Sequence, residues 1–355
     1  MPLPRRDFDR TRSQLRTWLA TRLSGARDVR IGELKGPSET GFSSDTLMFD
    51  AEWTEHGTQR AQLVARLQPT GFTVFPTYDI AAQYRVMKIL GSTDVPLPRM
   101  RWLEEDPDVL GVPFCVMDRV DGRVPTDNPP YHTGGWLPEL APAERTALWW
   151  SGFEAMVRVH RLDWRNLDLT FLAKPHGHPS PLVQQLREYA AYVDWGMDRR
   201  RHPLIARAQR WLDAHQPVDE PVGLCWGDSR LGNQIFDGTR CVAVLDWEMA
   251  RLGDPVQDLA WWVALDRCFS EGLSVERLPG LPDRHATIAR WEQGLGRSAR
   301  HFEYYEVLAL YKFAAIMSRV IQQLKHYEVF AADNDMDMNN LATGPLATIL
   351  DAVGG

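Results

Sequence analysis

The sequence is poor in features that would place a protein in a membrane. No apolar run approaches the ~18 residues that a membrane-spanning helix needs, and the longest covers only residues 259–265. A second apolar stretch, near Val307, is interrupted by Lys312. Arg5 and Arg6 are followed by polar and charged residues instead of a hydrophobic signal segment. We therefore expect a protein without a membrane partner.

Paired cysteines and an excess of positive charge are also absent. The few cysteines form no CxxC pair, which argues against a disulfide framework: Cys115, Cys225, Cys241 and Cys268. Lys and Arg total 40 against 47 Asp and Glu, so the formal net charge is -7. Proteins that bind nucleic acid through a basic face have the opposite balance. We expect a cytoplasmic protein with no nucleic-acid partner.

Several familiar motifs are missing. No Walker A sequence and no G-x-G-x-x-G occurs, so P-loop and Rossmann nucleotide sites lack their motif. The absence of G-x-S-x-G weakens an esterase interpretation. His176 and His178 flank a glycine, but no carboxylate or cysteine stands at ligand spacing, so we expect no zinc site there.

Residues 1–120 have the pattern of a small lobe built on β-strands. Ile80, Tyr84, Met87 and Leu90 recur at helical spacing and give one helix an apolar face. The predicted elements are a helix over 8–23, a strand–turn–strand unit over 31–53, a strand over 62–67, a helix over 79–90 and a strand over 113–120.

Residues 121–355 are mainly helical in pattern. The one exception is a predicted hairpin, in which β-prone runs 234–236 and 241–245 meet at Asp237-Gly238. The whole chain is therefore predicted to be α+β. The predicted helices cover 143–162, 181–195, 203–214, 258–269, 284–295, 302–327 and 341–353.

The residues that flank this hairpin have the spacing of a phosphoryl-transfer site. Asp228 and Asn233 stand in the D-x-x-x-x-N spacing of a kinase catalytic loop, and Asp246 follows an apolar strand. A strand-end carboxylate and a loop amide joined by a tight hairpin can reach one point, and Mg²⁺ prefers such oxygen ligands. Asp228 would then be the catalytic base, and Arg230 could face charge that develops on the transferred phosphoryl group.

A resemblance to a known family rests on two segments, WGDSRLGNQIFD (226–237) and VAVLDWEMARLGDPVQDLAWW (242–262). They resemble the catalytic block of the aminoglycoside phosphotransferase and choline kinase-like family. The most similar branch holds phosphotransferases related to domains attached to acyl-CoA dehydrogenases. The resemblance extends more weakly over residues 31–353. It implies a bilobal protein kinase-like fold and ATP- and Mg²⁺-dependent transfer of the γ-phosphoryl group to a hydroxyl of a small molecule.

The resemblance also implies roles for residues of the helical lobe. Asp228 would be the base, Asn233 and Asp246 the metal ligands, and Asp258 a buried carboxylate that braces the catalytic loop. Glu248 occupies the glycine position of D-F-G, where we expect a structural, supporting role.

Two further departures concern the family's usual residues. Trp226 stands where the family commonly has histidine, and we expect it to pack and support the backbone. Arg66, in the strand LVARL (63–67), stands where the family usually has lysine, and Gln83 replaces its glutamate partner. We expect an Arg66–Gln83 hydrogen bond in place of the usual salt bridge.

The implied ATP site has two more parts. The turn that contains Gly41, Ser43 and Ser44 would cradle phosphate oxygens with its backbone amides. The segment that contains Met117, Asp118 and Val120 would be the hinge between lobes, with backbone groups that face adenine. An ordinary hairpin and an ordinary linker would explain the two segments equally well.

Other functions stay open at this point. The changes at Arg66 and Gln83 suit a regulatory pseudo-enzyme that binds nucleotide without phosphoryl transfer, and the same carboxylates could serve a metal-dependent hydrolase. His160 is expected to be a hydrogen-bonded core histidine, and the pair Trp261-Trp262 to serve helix packing.

The sequence does not choose the acceptor among aminoglycosides, choline, sugars and hydroxyacyl thioesters. Several arginines between residues 184 and 213 make a polycationic antibiotic less attractive. Nucleotide preference and oligomeric state are also left open.

Overall fold

A computed structural model describes residues 6–36, 45–173, 180–197, 200 and 202–355. The predicted phosphate turn with Gly41, Ser43 and Ser44 lies outside these residues, as do His176 and His178.

A five-stranded antiparallel sheet forms the first lobe, in the order β1-β2-β3-β5-β4. Along β3, Leu63, Ala65 and Leu67 are buried on one face, so the alternation of a strand turns Arg66 to the other. This register aims the arginine away from the sheet's own core. The strands are β1 (Arg27–Ile31), β2 (Asp45–Thr54), β3 (Thr58–Leu67), β4 (Met100–Glu104) and β5 (Phe114–Asp118).

Each face of the sheet is covered by a different part of the chain. Helix α1 (Phe8–Arg22) packs Leu15 and Trp18 against the face that contains Phe114. Helix α2 (Ile80–Leu90) lies on the other face, in a core that also includes residues of the helical lobe. The second face is therefore where the two parts of the molecule meet.

The helical lobe is organised around two long buried helices. Helices α6 and α8 pack against each other, and α6 is buried on nearly all sides, as expected for a helix in the centre of a lobe. The helices are α3 (Pro142–Arg161), α4 (Pro181–Gly196), α5 (Pro203–Ala214), α6 (Val256–Ser270), α7 (Arg284–Leu295), α8 (Phe302–His326) and α9 (Thr343–Ala352).

Two short antiparallel pairs interrupt these helices. β6 (Gly223–Cys225) pairs with β9 (Arg251–Gly253), and the hairpin consists of β7 (Gln234–Asp237) and β8 (Arg240–Val244). The hairpin is confirmed, but its turn lies one residue later than predicted. Asp237 pairs with Arg240, and of the two turn residues between them only Gly238 has a positive φ, of 58°.

The predicted α+β class, with a small sheet lobe and a larger helical lobe, is confirmed. The chain leaves the sheet at Asp118, and Arg123 already pairs with Phe236 of the hairpin. Strand β4 and the β6–β9 pair were not predicted. Among the described helices none is both long enough and apolar enough to cross a membrane.

Candidate active site

In the loop after β6, Asp228 follows Gly227, whose backbone conformation only glycine can adopt. Gly227 has a φ of +96°, and a Cβ atom there would lie 2.2 Å from the carbonyl oxygen of Met249. A side chain at this position would therefore strain the backbone and collide with the next segment. The glycine lets the chain turn sharply and brings Asp228 to the surface of the helical lobe.

Three side chains orient the Asp228 carboxylate. The indole Nε1 of Trp261 donates to Oδ1 at 2.8 Å, and Nδ2 of Asn233 donates to Oδ2 at 2.6 Å. The Nε atom of Arg230 lies 3.2 Å from both oxygens. Because the donors come from different directions, the carboxylate is held in one orientation.

Arg230 is shared between two carboxylates. Besides Asp228, its Nη1 atom pairs with Asp127, which lies in the loop before α3. Burial acts to lower the pKa of Arg230, but Asp127 and Asp228 raise it above its usual value. Sequence reasoning missed Asp127, since nothing in its proline-rich surroundings indicates a distant arginine.

Asp246 follows the hairpin at the junction of the two lobes. Its φ is 59°, a conformation that aspartate tolerates better than most residues. The amide of Leu245 donates to the carbonyl of Asn233 at 2.8 Å, so Asp246 and Asn233 are brought close together. The backbone segments that carry these two residues are thus held beside each other.

Arg66 reaches across from the sheet to this point. Its Nη2 atom lies 2.6 Å from Oδ1 of Asp246 and 3.4 Å from Oε2 of Glu248. Burial acts to lower the pKa of Arg66, but the two carboxylates raise it above its usual value. The arginine is therefore an ion-pair link between strand β3 and the segment after the hairpin.

The expected Arg66–Gln83 hydrogen bond is not present among the described residues. Gln83 is buried on α2, as its spacing predicted, but the hydrogen bonds of Arg66 go to carboxylates. A carboxylate offers the guanidinium an opposite charge as well as acceptor oxygens, whereas the amide of Gln83 offers only a dipole, so Arg66 pairs with the carboxylates. Glu248, in turn, contacts a side chain of the sheet lobe.

Asp258 lies at the start of α6, beneath the Asp228 loop. Its carboxylate accepts from the amides of Trp226 at 2.6 Å and Gly227 at 2.9 Å, and it lies 3.0 Å from Nε2 of His160. The indole of Trp291 donates to Nδ1 of His160 at 2.9 Å, so the imidazole proton must be on Nε2. His160 is thus the buried, hydrogen-bonded histidine that the sequence predicted.

Trp226 supports the neighbouring segment. Its side chain is fully buried, and its Nε1 atom donates to the carbonyl of Leu245 at 2.8 Å. That carbonyl immediately precedes Asp246, so the tryptophan fixes the backbone from which Asp246 extends.

The predicted hinge uses part of its backbone within the sheet lobe. Met117 is paired in the sheet, and the amide of Asp118 donates to the carbonyl of Arg99 at 2.9 Å. The Asp118 carboxylate accepts from Nε of Arg101 at 2.6 Å. No backbone hydrogen bond from the amide of Val120 occurs in the described ranges, so Val120 is the member of the trio whose amide could still face a nucleotide.

The donor set around Asp246 fits magnesium. In the part of the chain that the structure describes, no group of three His, Cys, Asp or Glu side chains has the geometry of a metal site. The predicted ligands Asn233 and Asp246 would instead supply one amide and one carboxylate oxygen. Mg²⁺ commonly takes few protein oxygens and completes its shell with phosphate and water, so this small set is suitable for it.

Comparisons with known proteins agree with this architecture. Acyl-CoA dehydrogenase family member 11 of Pongo abelii is 27% identical over 331 residues, which are 90% of this chain and 40% of that protein. The chain spans less than half the length of the curated relatives it matches.

Two solved structures share the fold. A Ralstonia eutropha protein provisionally described as an aminoglycoside phosphotransferase is 25% identical, with a TM-score of 0.69 over 95% of this chain and 96% of that one. A thermostable mutant of aminoglycoside phosphotransferase APH(4)-Ia, solved with AMP-PNP and hygromycin B, is 17% identical, with a TM-score of 0.57 over 97% of this chain and 99% of that one. The predicted bilobal, kinase-like fold of these phosphotransferases is therefore confirmed.

A family model described as the phosphotransferase enzyme family, APH, matches residues 45–306. The matched region begins at β2 and includes Arg66, the Asp228 loop, the hairpin and Asp258. Because it covers well over half of the sequence, the chain belongs to this phosphotransferase family.

Proposed function

We propose that the protein is a small-molecule kinase that transfers the γ-phosphoryl group of ATP to a hydroxyl group, with Asp228 as the base. The observation that carries this proposal, in a chain of this family, is that Asn233 is hydrogen-bonded to the side chain of Asp228 and, through its backbone, to Leu245, the neighbour of Asp246. Family membership supports the reaction class, and the contacts of Asp228 support its role. The lobe boundary near residue 120, with ATP between the lobes, is part of the same proposal.

In this reaction the acceptor oxygen forms a bond to the γ-phosphorus while the bond between that phosphorus and the ADP oxygen breaks. The hydroxyl proton passes to Asp228, as in other kinase sites. Trp261 and Asn233 hold the carboxylate so that it meets the hydroxyl in one orientation. Much of the catalytic effect would then come from positioning.

Asn233 and Asp246 would hold magnesium, which neutralises negative charge on the phosphates when it is bound. Arg66 lies beside Asp246, where its guanidinium could also contact a phosphate oxygen as a planar fork. The backbone amide of Val120 would face the nucleotide base, and the turn with Gly41, Ser43 and Ser44 would contact its phosphates. Asp258 would keep the Asp228 loop in place.

The Arg66–Asp246 ion pair gives one specific reason to retain the alternative of a regulatory pseudo-enzyme. Its 2.6 Å contact engages a carboxylate oxygen that a metal would need. A pseudo-enzyme would retain ATP without phosphorylating any hydroxyl compound. Product formation that depends on Asp228 would exclude it.

The test measures nucleotide binding and ADP release for the wild type and two variants, with ATP, Mg²⁺ and a panel of hydroxyl compounds. We expect Asp228→Asn to bind nucleotide normally and to lose turnover by roughly 10²–10⁴-fold, the range of general-base effects. Asp246→Ala should lose Mg²⁺-dependent nucleotide binding. Asp237→Asn, on the exposed hairpin, is the matched control and should behave as wild type. Failure of the wild type to bind nucleotide with Mg²⁺ would refute the proposal.

A further inference from the structure

A group of side chains next to the Asp228 loop includes two cations, Lys312 and Arg251, that have no part in the mechanism above. It consists of Lys312 on α8, Tyr189 on α4, Trp261 on α6 and Arg251 on β9, and we refer to it as the Lys312 cluster. In the sequence, Lys312 stands out only because it interrupts an apolar stretch.

Lys312 is buried, and its ammonium group lies over two aromatic rings, while the charges of Asp258 and Asp228 act on it from farther away. Its residue is 5% exposed, and Nζ lies 4.7 Å from the ring centre of Trp261 and 5.2 Å from that of Tyr189. Within the described ranges no hydrogen bond or ion pair reaches this Nζ atom. A buried ammonium group that makes no ion pair is costly, and the more distant charges of Asp258 and Asp228 compensate only part of that cost, since the pKa of Lys312 stays lowered to about 8. A further negative charge would therefore stabilise the ammonium group.

Arg251 adds a second cation with unused donor capacity. One of its terminal nitrogens lies 3.1 Å from the Glu188 carboxylate, while its buried Nε atom has no hydrogen-bond partner among the described residues. Arg251 is close enough to Lys312 to act, after burial, as the second cause that lowers the pKa of the lysine, to about 8. Two neighbouring cations therefore have free donors in one place.

This cluster adjoins the proposed base through a single side chain. The indole of Trp261 donates its N–H to Oδ1 of Asp228, and the face of the same ring contacts Lys312. The lysine and the carboxylate thus contact the same indole ring, and the charge of Asp228 acts on the lysine. A small acceptor could contact both groups at once.

We propose, resting on the proposed function, that the acceptor carries an oxyanion, either carboxylate or phosphate, close to its reactive hydroxyl. The oxyanion binds to Lys312 and Arg251 while the hydroxyl lies against Asp228. Such a group supplies the missing negative charge and accepts the unused hydrogen bonds. A polycationic acceptor would meet repulsion from the same two side chains. Lys312 is therefore the specificity-determining residue.

The test compares acceptors that differ only in this charge. ADP release is measured with glycerol 3-phosphate against glycerol, and with 3-hydroxybutyrate against its methyl ester. In parallel, calorimetry measures binding of inorganic phosphate and of acetate to protein whose nucleotide site is filled with AMP-PNP and Mg²⁺. We expect an anion to bind, and its dissociation constant to rise roughly thirtyfold in Lys312→Met, the loss expected for one desolvated charge contact.

Lys312→Arg should retain much of the anion binding, because it keeps the charge. Lys35→Met removes an exposed lysine of the sheet lobe and should change nothing. Melting curves for each variant separate a loss of folding from a loss of binding. Preference for glycerol 3-phosphate identifies phosphate as the oxyanion, and preference for 3-hydroxybutyrate identifies carboxylate.

The inference is overturned if neither anion binds the wild type, if Lys312→Met binds it as tightly, or if the neutral acceptors react as well. Failure of the proposed kinase function has a different signature. In that case no acceptor gives ADP release, while the anion titration without nucleotide still distinguishes wild type from Lys312→Met.

Discussion

Lys312 illustrates how one residue can carry information that a hydrophobic pattern hides. Its neighbours on α8 are apolar, so the helix itself is predictable, but the lysine adds only a break in the pattern. The structure places its charge inside the lobe, where burial and then Arg251 lower its pKa to about 8 although Asp258 and Asp228 act in the opposite direction. An ionisable residue within a buried helix is itself a signal of a site.

The lowered pKa predicts how the stability of the protein changes with pH. The pKa in the folded state is about 8, against 10.5 for the ordinary side chain, so the unfolded chain binds more protons between these values. The free energy of unfolding should therefore rise with pH in this window, by about 2 kcal/mol between about pH 8 and pH 9.5. Urea unfolding of wild type and Lys312→Met across this range would measure the difference.

The variant cannot lose a proton at residue 312, so this part of the rise should be missing from it. Subtracting the two curves removes the contribution of tyrosines, which both proteins share. Parallel curves for the two proteins would contradict the prediction, whereas Lys35→Met should follow the wild type.

At the scale of elements, the start of α6 and the loop around Asp228 form one unit. The Asp258 carboxylate accepts two backbone amides of that loop and faces Nε2 of His160. Trp291 occupies the other ring nitrogen, so His160 cannot change its tautomer to accommodate a new donor. The orientation of the loop therefore depends on a side chain that has no contact with substrate.

Asp258→Asn should test this dependence. The amide has one acceptor oxygen in place of two, so one of the three donors would face an NH₂ group. We expect a loss of about 1–3 kcal/mol in the free energy of unfolding, the usual cost of an unsatisfied buried donor. Turnover should fall while nucleotide binding persists, and thermal melting with ADP-release assays would measure both effects.

Asp283→Asn is the matched control. Asp283 caps α7 by accepting from the amide of Ala286, and asparagine caps helices about as well. This variant should melt close to the wild type. If the Asp258→Asn protein has unchanged stability and unchanged turnover, Asp258 does not brace the Asp228 loop.

The elements also show what sequence could and could not predict. Helices with an apolar face and the Asp-Gly hairpin carry their information locally, and the structure confirms them within a few residues. Strands β6 and β9 are three residues each and form only because they pair across the fold, so no local pattern identifies them. The D-x-x-x-x-N spacing could also be recognised from the sequence, because all of its residues lie within one short segment.

The hydrogen-bond partners of the predicted site residues could not be identified from the sequence. Asp127 lies 103 positions from Arg230, and Trp261 lies 33 positions from Asp228. Such contacts depend on the tertiary arrangement of loops and helices. The expected hydrogen bond from Arg66 to Gln83 was wrong for the same reason, because its partners Asp246 and Glu248 lie in the other lobe.

At the scale of the whole molecule, the two lobes are joined by side-chain contacts as well as by the connecting backbone. One hydrophobic core contains Ile80 and Met87 of α2 together with residues of the helical lobe. The C-terminal half of α8 also binds the segment before α2, since Arg319 donates to the carbonyl of Thr73 at 2.9 Å. Arg66 adds an ion pair across the junction.

These contacts predict that the lobes unfold together. Separate domains connected by a small polar interface commonly move and melt separately, whereas a shared apolar core couples them. We expect calorimetry of the full chain to give one thermal transition, with the calorimetric enthalpy equal to the van't Hoff enthalpy. Two resolved transitions would contradict a shared core and would favour an independent lobe over residues 1–120.

Arg66→Met distinguishes the contributions of core and ion pair to this coupling. The variant removes the partner of Asp246 and Glu248 and leaves the apolar contacts intact, so the transition should shift to lower temperature without splitting. Breaking a largely buried pair by removing one partner leaves the other charge uncompensated, which costs about 3–5 kcal/mol in buried sites and less at the Arg66–Asp246 pair, where each side chain is partly exposed. If the single transition instead divides in two, the arginine and not the core is what makes the lobes cooperate. Nucleotide binding, in which we propose a role for Asp246, would then be expected to change the coupling between the lobes.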